Sequence, residues 1–419
     1  MAAFCVTVAV TTAVVLGSSH QAAAETAHLY PDPVCIAVGQ KLQLGLTGAK
    51  FKGAGVWTDD TKIAKVSESG VLTGVKIGKT KVRVGGAAEK VTWGDADVTV
   101  MADMASCAAA YFATTPPAVV NAPNPSTLKF TFLSDSQGCD ACSSDKNVVD
   151  HDFAGWFASQ MVTTEKPLFI LQGGDLANYG PKDDLWLKDM LPVIPTIPIY
   201  SAIGNHDLVH DALGYYKKPM QDAWPSLWRA NYVDKGGRPW PVTGPAELST
   251  QSLAYSFVYG NALLVVLDSY YMWGYDGMHK ASEDHMELEQ IDAKQLAWVA
   301  WLSNWARTDG AKAGVQHIFL ISHAPLLTTL DDRENNKNLL QIISKNPMFD
   351  ALLCGHEHKL DFKKIDGTSV YELIAGTANG ETHDNSYLRL EVAGAGVKVT
   401  AVHQTDKGPV DGETVSWTK

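Results

Sequence analysis

Residues 34–100 alternate apolar and polar positions in short runs. VCIAVG, KLQLGL, KIAKVS, VLTGV and TKVRVG are separated by Gly, Asp and Ser. A period of two without a helical period predicts strands joined by turns, hence a small all-β sandwich over residues 30–104. Residues 105–127 change character: CAAAYFATTPPAVVNAPNPST is rich in Ala, Pro, Thr and Asn, and its four prolines predict an extended linker. From Leu128 the pattern is mixed. LKFTFLSD, PLFILQGGD, IPIYSAIGNHD, HIFLISHAP and ALLCGHEH read as strands, and YSFVYG with ALLVVLDSY reads as a hairpin. DHDFAGWFASQMV, KDDLWLKDML and NLLQIISK read as helices, as does 292–305, with Asp292 and Gln295 spaced as a capping box. VYELIAG and YLRLEVAGAGVKVTAV add two or three more strands. That is more strand than one doubly wound sheet needs, so the prediction for 128–405 is two packed sheets with helices outside. The polar residues 406–419 are predicted as a frayed tail.

The first 24 residues read as a secretory signal. Phe4 to Gly17 is apolar or small, and Ala22-Ala23-Ala24 offers a small-x-small cleavage site, with the mature chain beginning near Glu25. The n-region has no Lys or Arg, so a buried strand or a membrane anchor is the competing reading. The apolar run is shorter than the roughly 20 residues a spanning helix needs, and no later segment reads as one. Export to the periplasm or the medium permits disulfides. Cys35 and Cys107 bracket the first domain and could clip its ends. Cys139-x-x-Cys142 fits a local disulfide first, with a redox pair or half a zinc site as alternatives. Cys354, inside an apolar run, reads as a free core thiol.

Composition narrows the function classes. A chain of 419 residues with a net charge of -12 and no Lys/Arg run longer than two is a poor partner for a nucleic acid polymer. A small anionic substrate remains compatible if metals supply the local positive charge.

The chemistry collects at strand ends. Asp135 follows LKFTFLS, Asp175 follows LFILQGG, Asn205 and His206 follow IYSAIG, His323 follows IFLIS, and His356 and His358 follow ALLCG. Each alone has an ordinary structural explanation, such as a turn, a cap or a core histidine. Together, each leaving an apolar strand, they mark the carboxyl edge where open α/β folds build sites. Carboxylate, imidazole and amide oxygen suit borderline and hard divalent cations, and a shared carboxylate can hold two ions about 3.5–4 Å apart.

Two resemblances follow from these residues. WTDDTKIAKVSESGVLTGVKIGKTKVRV resembles the bacterial group 2 immunoglobulin-like module at Trp57, Ala64, Val66, Gly70, Leu72, Gly74 and Gly78. It implies Trp57 and Val66 in a core, turns at Gly70 and Gly78, and a spacing or cell-surface role. Asp135-Ser136-Gln137, Gly174-Asp175, Gly204-Asn205-His206-Asp207, His323 and Gly355-His356-Glu357-His358 resemble the calcineurin-like metallophosphoesterase family. That resemblance implies an α/β fold, a four-layer α/β/β/α sandwich of two mixed sheets, here preceded by the immunoglobulin-like sandwich. It implies two divalent or trivalent ions per chain, drawn from Mn, Fe, Zn, Ni or Mg. The first takes Asp135, Asp175 and His358; the second takes Asp175, Asn205, His323 and His356. His206 does not ligate but serves as general acid to the leaving group, and Asp207 orients it. Attack is by a metal-bridging hydroxide on a small-molecule phosphoester.

Gln137 departs from the family pattern, which has a histidine ligand there, and is taken as a weaker oxygen ligand. A purple acid phosphatase would have a tyrosine where this chain has Asn178. Trp273 and His279 in the aromatic-rich segment 270–290, and His383 in GTANGETHD, are candidate substrate contacts beside Asn205. Lys217 or Arg229 is placed to meet an anionic group. The leading expectation is an exported phosphomonoesterase. A phosphodiesterase acting on nucleotides or lipid head groups, and a non-catalytic surface protein with a decayed site, are the alternatives.

Overall fold

The structure, a computed structural model, describes residues 28–47, 51, 54–86, 91–111, 116–120, 126–136, 149–177, 183–208, 254–270, 289–329, 333–375 and 385–419. Residues 1–24, read above as a signal, and Gln137, Cys139, Cys142, Lys217, Arg229, Trp273, His279 and His383 lie outside them.

The N-terminal part is all strand, as its alternation predicts. It comprises β1 (His28–Tyr30), β2 (Val34–Ala37), β3 (Lys41–Gln43), β4 (Gly45–Thr47), β5 (Gly55–Thr58), β6 (Ala64–Val66), β7 (Val71–Gly74), β8 (Gly78–Gly86) and β9 (Val91–Met101). They form sheets ordered β2-β9-β8-β5 and β3-β7-β6, with β1 paired to β4. Val34, Ile36, Leu42, Leu72, Val82, Val98 and Val100 are buried between them. Trp57 and Val66, expected in that core, are half-buried at its margin. Gly70 does sit at a turn with φ 81°, whereas Gly78 opens β8.

Part of the expected linker is ordered. Helix α1 (Met104–Tyr111) follows β9, and a Cys35–Cys107 disulfide, 72 residues apart in sequence, ties it back to β2. The Tyr111 hydroxyl bridges the Cys35 backbone, taking its N–H and donating to its carbonyl at 3.2 Å. Then β10 (Ala118–Val120) pairs in parallel with β14 at the edge of a large sheet. The alanines that suggested a linker serve helix formation, and a three-residue strand is too short to show a period.

Residues 128–419 carry β11 (Leu128–Leu133), β12 (Ile170–Gln172), β13 (Ile199–Ser201), β14 (Tyr255–Tyr259), β15 (Ala262–Val266), β16 (His317–Ile321), β17 (Phe349–Cys354), β18 (Asp361–Lys364), β19 (Tyr371–Ile374), β20 (Ser386–Ala393), β21 (Gly396–Thr405) and β22 (Gly408–Thr418). The helices are α2 (His151–Gln160), α3 (Asp183–Asp189), α4 (Ala293–Trp305) and α5 (Glu334–Ser344). One mixed sheet runs β13-β12-β11-β20-β21-β22, the other β10-β14-β15-β16-β17-β19-β18. The two sheets share an apolar core. Phe130 of β11 stacks on Phe169 and meets Phe319 of β16 edge-on at 5.6 Å between ring centres. Helix α2 adds Phe153 and Phe157, the latter edge-on to Tyr387. The opposite side of the seven-stranded sheet, with α4 and α5, shares a second core with the N-terminal strands.

The tail expected to fray is strand β22, antiparallel to β21. Its residues are polar because an edge strand is exposed on most of its surface, and only Val415 and Trp417 reach the core. The capping box at α4 forms by half. Asp292 accepts the Gln295 N–H at 2.7 Å, but the Gln295 side chain turns away and holds both the N–H and the carbonyl of Asp268, at 2.9 and 2.7 Å. That contact fixes the end of β15.

Candidate metal centre

Strands β11, β12 and β13 run parallel in one sheet and β15, β16, β17 and β19 run parallel in the other. Their carboxyl ends deliver Asp135, Asp175, Asn205, Tyr270, His323 and His356 to one place. Among the described non-glycine residues only five have positive φ. Four of them are Asp135 (55°), Asp175 (57°), His356 (73°) and His358 (48°). An L residue in this region costs on the order of 1 kcal/mol. The chain bears that cost where it turns each side chain back toward the neighbouring strand ends.

Glycines admit the carboxylates. A Cβ on Gly204 would lie 2.0 Å from Asp175 Oδ1, and one on Gly355 would lie 2.1 Å from Asp135 Oδ2. The glycines of the GNHD and GHEH motifs are therefore required by close approach.

The geometry of the cluster follows from its hydrogen bonds. The His356 N–H donates to both Asp135 oxygens at 2.9 and 3.0 Å. The His206 N–H donates to Asp175 Oδ1 at 2.9 Å. His323 Nδ1 donates to the Gly173 carbonyl at 2.9 Å. In the neutral ring this leaves Nε2 with a lone pair. That atom faces Asp175 Oδ2 at 3.1 Å, Asn205 Oδ1 at 3.1 Å and Asp135 Oδ1 at 3.9 Å. Acceptors meeting acceptors around a fully buried ring nitrogen need a cation between them, or else a second proton on the ring. Burial alone would lower the His323 pKa, but the Asp175 and Asp135 carboxylates overcome that and raise it to about 10. Conversely, burial would raise Asp175, and the surrounding His323, His206 and His356 hold it well below the usual carboxylate range.

His356 Nδ1 faces the same Asn205 oxygen at 3.2 Å, and His358 Nε2 lies 3.5 Å from Asp135 Oδ1. Ligand atoms of Asp135, Asp175 and His323 all fall within 4.8 Å of one another. Two carboxylates, one amide oxygen and three imidazoles form a donor set that fits divalent cations.

Asp207 anchors backbone around the cluster. Among the described residues its oxygens accept the backbone N–H groups of Asp175, Leu176 and Gly204, at 2.9, 2.8 and 2.7 Å. It thus fixes the two strand-end turns that carry Asp175 and Asn205. Burial and the Asp175 charge outweigh those three donors and push Asp207 up to about 7.

Sequence reasoning missed three contributors. Gln172 shapes the Gly173–Gly174 turn through its amide, accepting the Gly174 N–H at 2.6 Å and donating to the Gly174 carbonyl at 2.9 Å. Tyr270, buried, donates to Asn205 Oδ1 at 3.4 Å; burial first, then Glu289, Asp175 and Asp135, push its phenol well above the usual range. Glu289 Oε1 meets His356 Nε2 at 2.9 Å. Tyr270 and Glu289 both lie within the 270–290 segment singled out for its aromatic residues, where a single glutamate carried no distinguishing signal.

No curated relative matches the chain in sequence. Among solved structures, similar chains include a dimetal phosphatase from Danio rerio at 14% identity and a TM-score of 0.47, with 70% of this chain and 98% of that one covered. GAP50 of Plasmodium has 14% identity and a TM-score of 0.41, with 70% and 89% covered. A purple acid phosphatase from yellow lupin has 13% identity and a TM-score of 0.44, with 91% and 70% covered. The calcineurin-like phosphoesterase family pattern matches residues 128–360, more than half of the chain and the whole of the cluster above. The chain therefore belongs to the calcineurin-like phosphoesterase family and is a metal-dependent phosphoester hydrolase.

Proposed function

We propose that this protein is an exported dinuclear hydrolase of the phosphomonoesterase type. The observation that carries the reading is the buried His323 Nε2, ringed by three oxygens from three other strand ends. Asp175 is proposed to be shared, with Asp135 and His358 completing one ligand set and Asn205, His323 and His356 the other. Gln137 is proposed to complete the first set. Two bound cations would supply fixed positive charge for the phosphoryl oxygens and lower the pKa of a water.

The chain's own residues do the rest. Asp207 holds the turns that carry Asp175 and Asn205. His206 sits half-buried beside Asp175, its backbone N–H bonded to that carboxylate, and its imidazole is proposed as proton donor to the departing alkoxide. Trp273, His279 and His383 are proposed substrate contacts, and Lys217 or Arg229 a partner for a substrate oxygen. In the same reading the two sheets with their helices make four layers, and the N-terminal strands make an immunoglobulin-like unit with a cell-surface contact. Export is supported by the signal-like start and by the Cys35–Cys107 disulfide, which suits an oxidising compartment.

The test is a phosphoester panel on metal-stripped protein with Mn, Zn, Ni and Fe added back. The proposal expects p-nitrophenyl phosphate to be turned over faster than bis(p-nitrophenyl) phosphate. The reverse order would make the enzyme a phosphodiesterase. Protein that takes up no metal would leave only the non-catalytic surface role.

A further inference from the structure

His323 and His356 present different ring nitrogens to the same Asn205 oxygen: Nε2 from His323 and Nδ1 from His356. A ring can offer a lone pair at one nitrogen only if its proton is kept at the other. For His323 the Gly173 carbonyl holds that proton. For His356 the group at the far nitrogen is Glu289, buried, with Oε1 at 2.9 Å from Nε2. Glu289 is itself held from behind. Arg333, at the N-cap of α5, reaches its second oxygen at 3.4 Å, and Asn336 Nδ2 donates to its carbonyl at 3.2 Å.

The same turn of α5 grips the N-terminal strands. Asn335 is buried, donates to the Ile291 carbonyl at 2.9 Å and accepts the Gln43 N–H at 2.9 Å. Asn338 donates to the Lys41 carbonyl. One polar chain therefore runs from β3 through α5 and the 289–291 backbone to a ring of the metal centre. Asn335 and Asn338, two buried amides of one helix, both bond the backbone of β3, so the register between β3 and α5 is tightly set.

We propose that Glu289 is a positioning residue that keeps the His356 proton on Nε2 and its Nδ1 aimed at the cation, and that the N-terminal strands buttress it through α5 instead of serving as a detachable spacer. This rests on the dinuclear reading above. Carboxylate–histidine–metal arrangements of this kind typically alter metal affinity by 10–100-fold when the carboxylate is lost.

The experiment is calorimetric titration of metal-stripped full-length protein with Mn(II) alone, and separately with Zn(II) alone. It compares the natural chain with Glu289→Ala, Glu289→Gln and Asn335→Ala. Glu289→Ala should weaken one of the two ions by about 10–100-fold and leave the other unchanged, the unchanged ion reporting an intact fold. Glu289→Gln keeps an oxygen at similar reach and should recover part of the loss. Asn335→Ala should weaken the same ion by roughly 2–30-fold. If Glu289→Ala fails to fold, Glu289→Gln and Asn335→Ala carry the test. Identical isotherms for all chains would overturn the inference while leaving the dinuclear centre standing. A natural chain that takes up no metal would overturn both.

Discussion

Strands β16 and β17 carry a histidine and an aspartate near one end and histidines at the other, and the two ends have opposite fates. At the amino end His317 Nδ1 meets Asp350 Oδ2 at 3.0 Å and Nε2 meets the Gly394 carbonyl at 2.7 Å. Trp417 Nε1 donates to Asp350 Oδ1 at 2.8 Å and Lys419 Nζ to Oδ2 at 2.7 Å. Each polar atom there has a protein partner of the opposite kind, and the cluster joins β22 to the sheet. At the carboxyl end the partners facing His323 Nε2 among the described residues are oxygens of Asp175, Asn205 and Asp135. Similar residue types on the same strands are thus structural where protein partners satisfy every polar atom, and fitted for a cation where oxygens converge on a ring nitrogen that only a second proton or a cation can satisfy. Composition and burial do not separate the two cases; the balance of donors and acceptors does.

The comparison can be broken at either end. The largest effect is expected from Asp175→Ala, which removes the carboxylate proposed to be shared by both ions. Losing several kcal/mol of charge stabilisation corresponds to a fall in kcat of at least about 10⁴-fold. Atomic absorption of the purified variant should show that metal has gone with it, while the His317–Asp350 end keeps the fold. His206→Ala comes next, with a loss of about 10²–10⁴-fold on alkyl phosphates and a smaller one on p-nitrophenyl phosphate, whose leaving group needs little protonation. Equal losses on both substrates would remove His206 from the proton-donor role.

At the other end Asp350→Ala should cost about 3–5 kcal/mol of stability, because it strands buried His317 and the Trp417 and Lys419 donors. Urea unfolding reads that cost, and kcat of the folded fraction should stay within a few-fold of the natural chain. The smallest effect per step of the measurement is a pH trend in the metal-free protein. His323 has its folded-state pKa raised from 6.5 to about 10. The stability this supplies is complete below pH 6.5 and is lost as pH rises toward 10, with a slope of at most about 1.4 kcal/mol per pH unit. Metal competes with the same proton, so metal affinity should rise across that window. A flat stability profile there in the metal-free protein would contradict the charged ring.

The strand-end motifs were legible in the sequence because parallel strands bring all their carboxyl ends to one edge, so order along the chain stood in for position in space. Asp135, Asp175, Asn205, His323, His356 and His358 meet accordingly. What the sequence did not reveal depends on tertiary partners. The Asp207 carboxylate accepts from the backbone of two turns, one of them about thirty residues away in sequence. Gln295 has capping-box spacing, but Asp268 competes for its amide. Strand β22 has the polarity of a tail because it is an edge strand. Helix α5 begins at Glu334, before the apolar residues that announce it, because its first turn is faced with buried asparagines that a hydrophobic pattern does not register.

The most direct test of the central claim is metal content measured beside turnover on one sample of full-length protein. The account predicts about two ions per chain, and phosphate released in proportion to loading as metal is added back. Fully loaded protein that cleaves no phosphoester, or protein that binds no metal at His323 and Asp175, would contradict it.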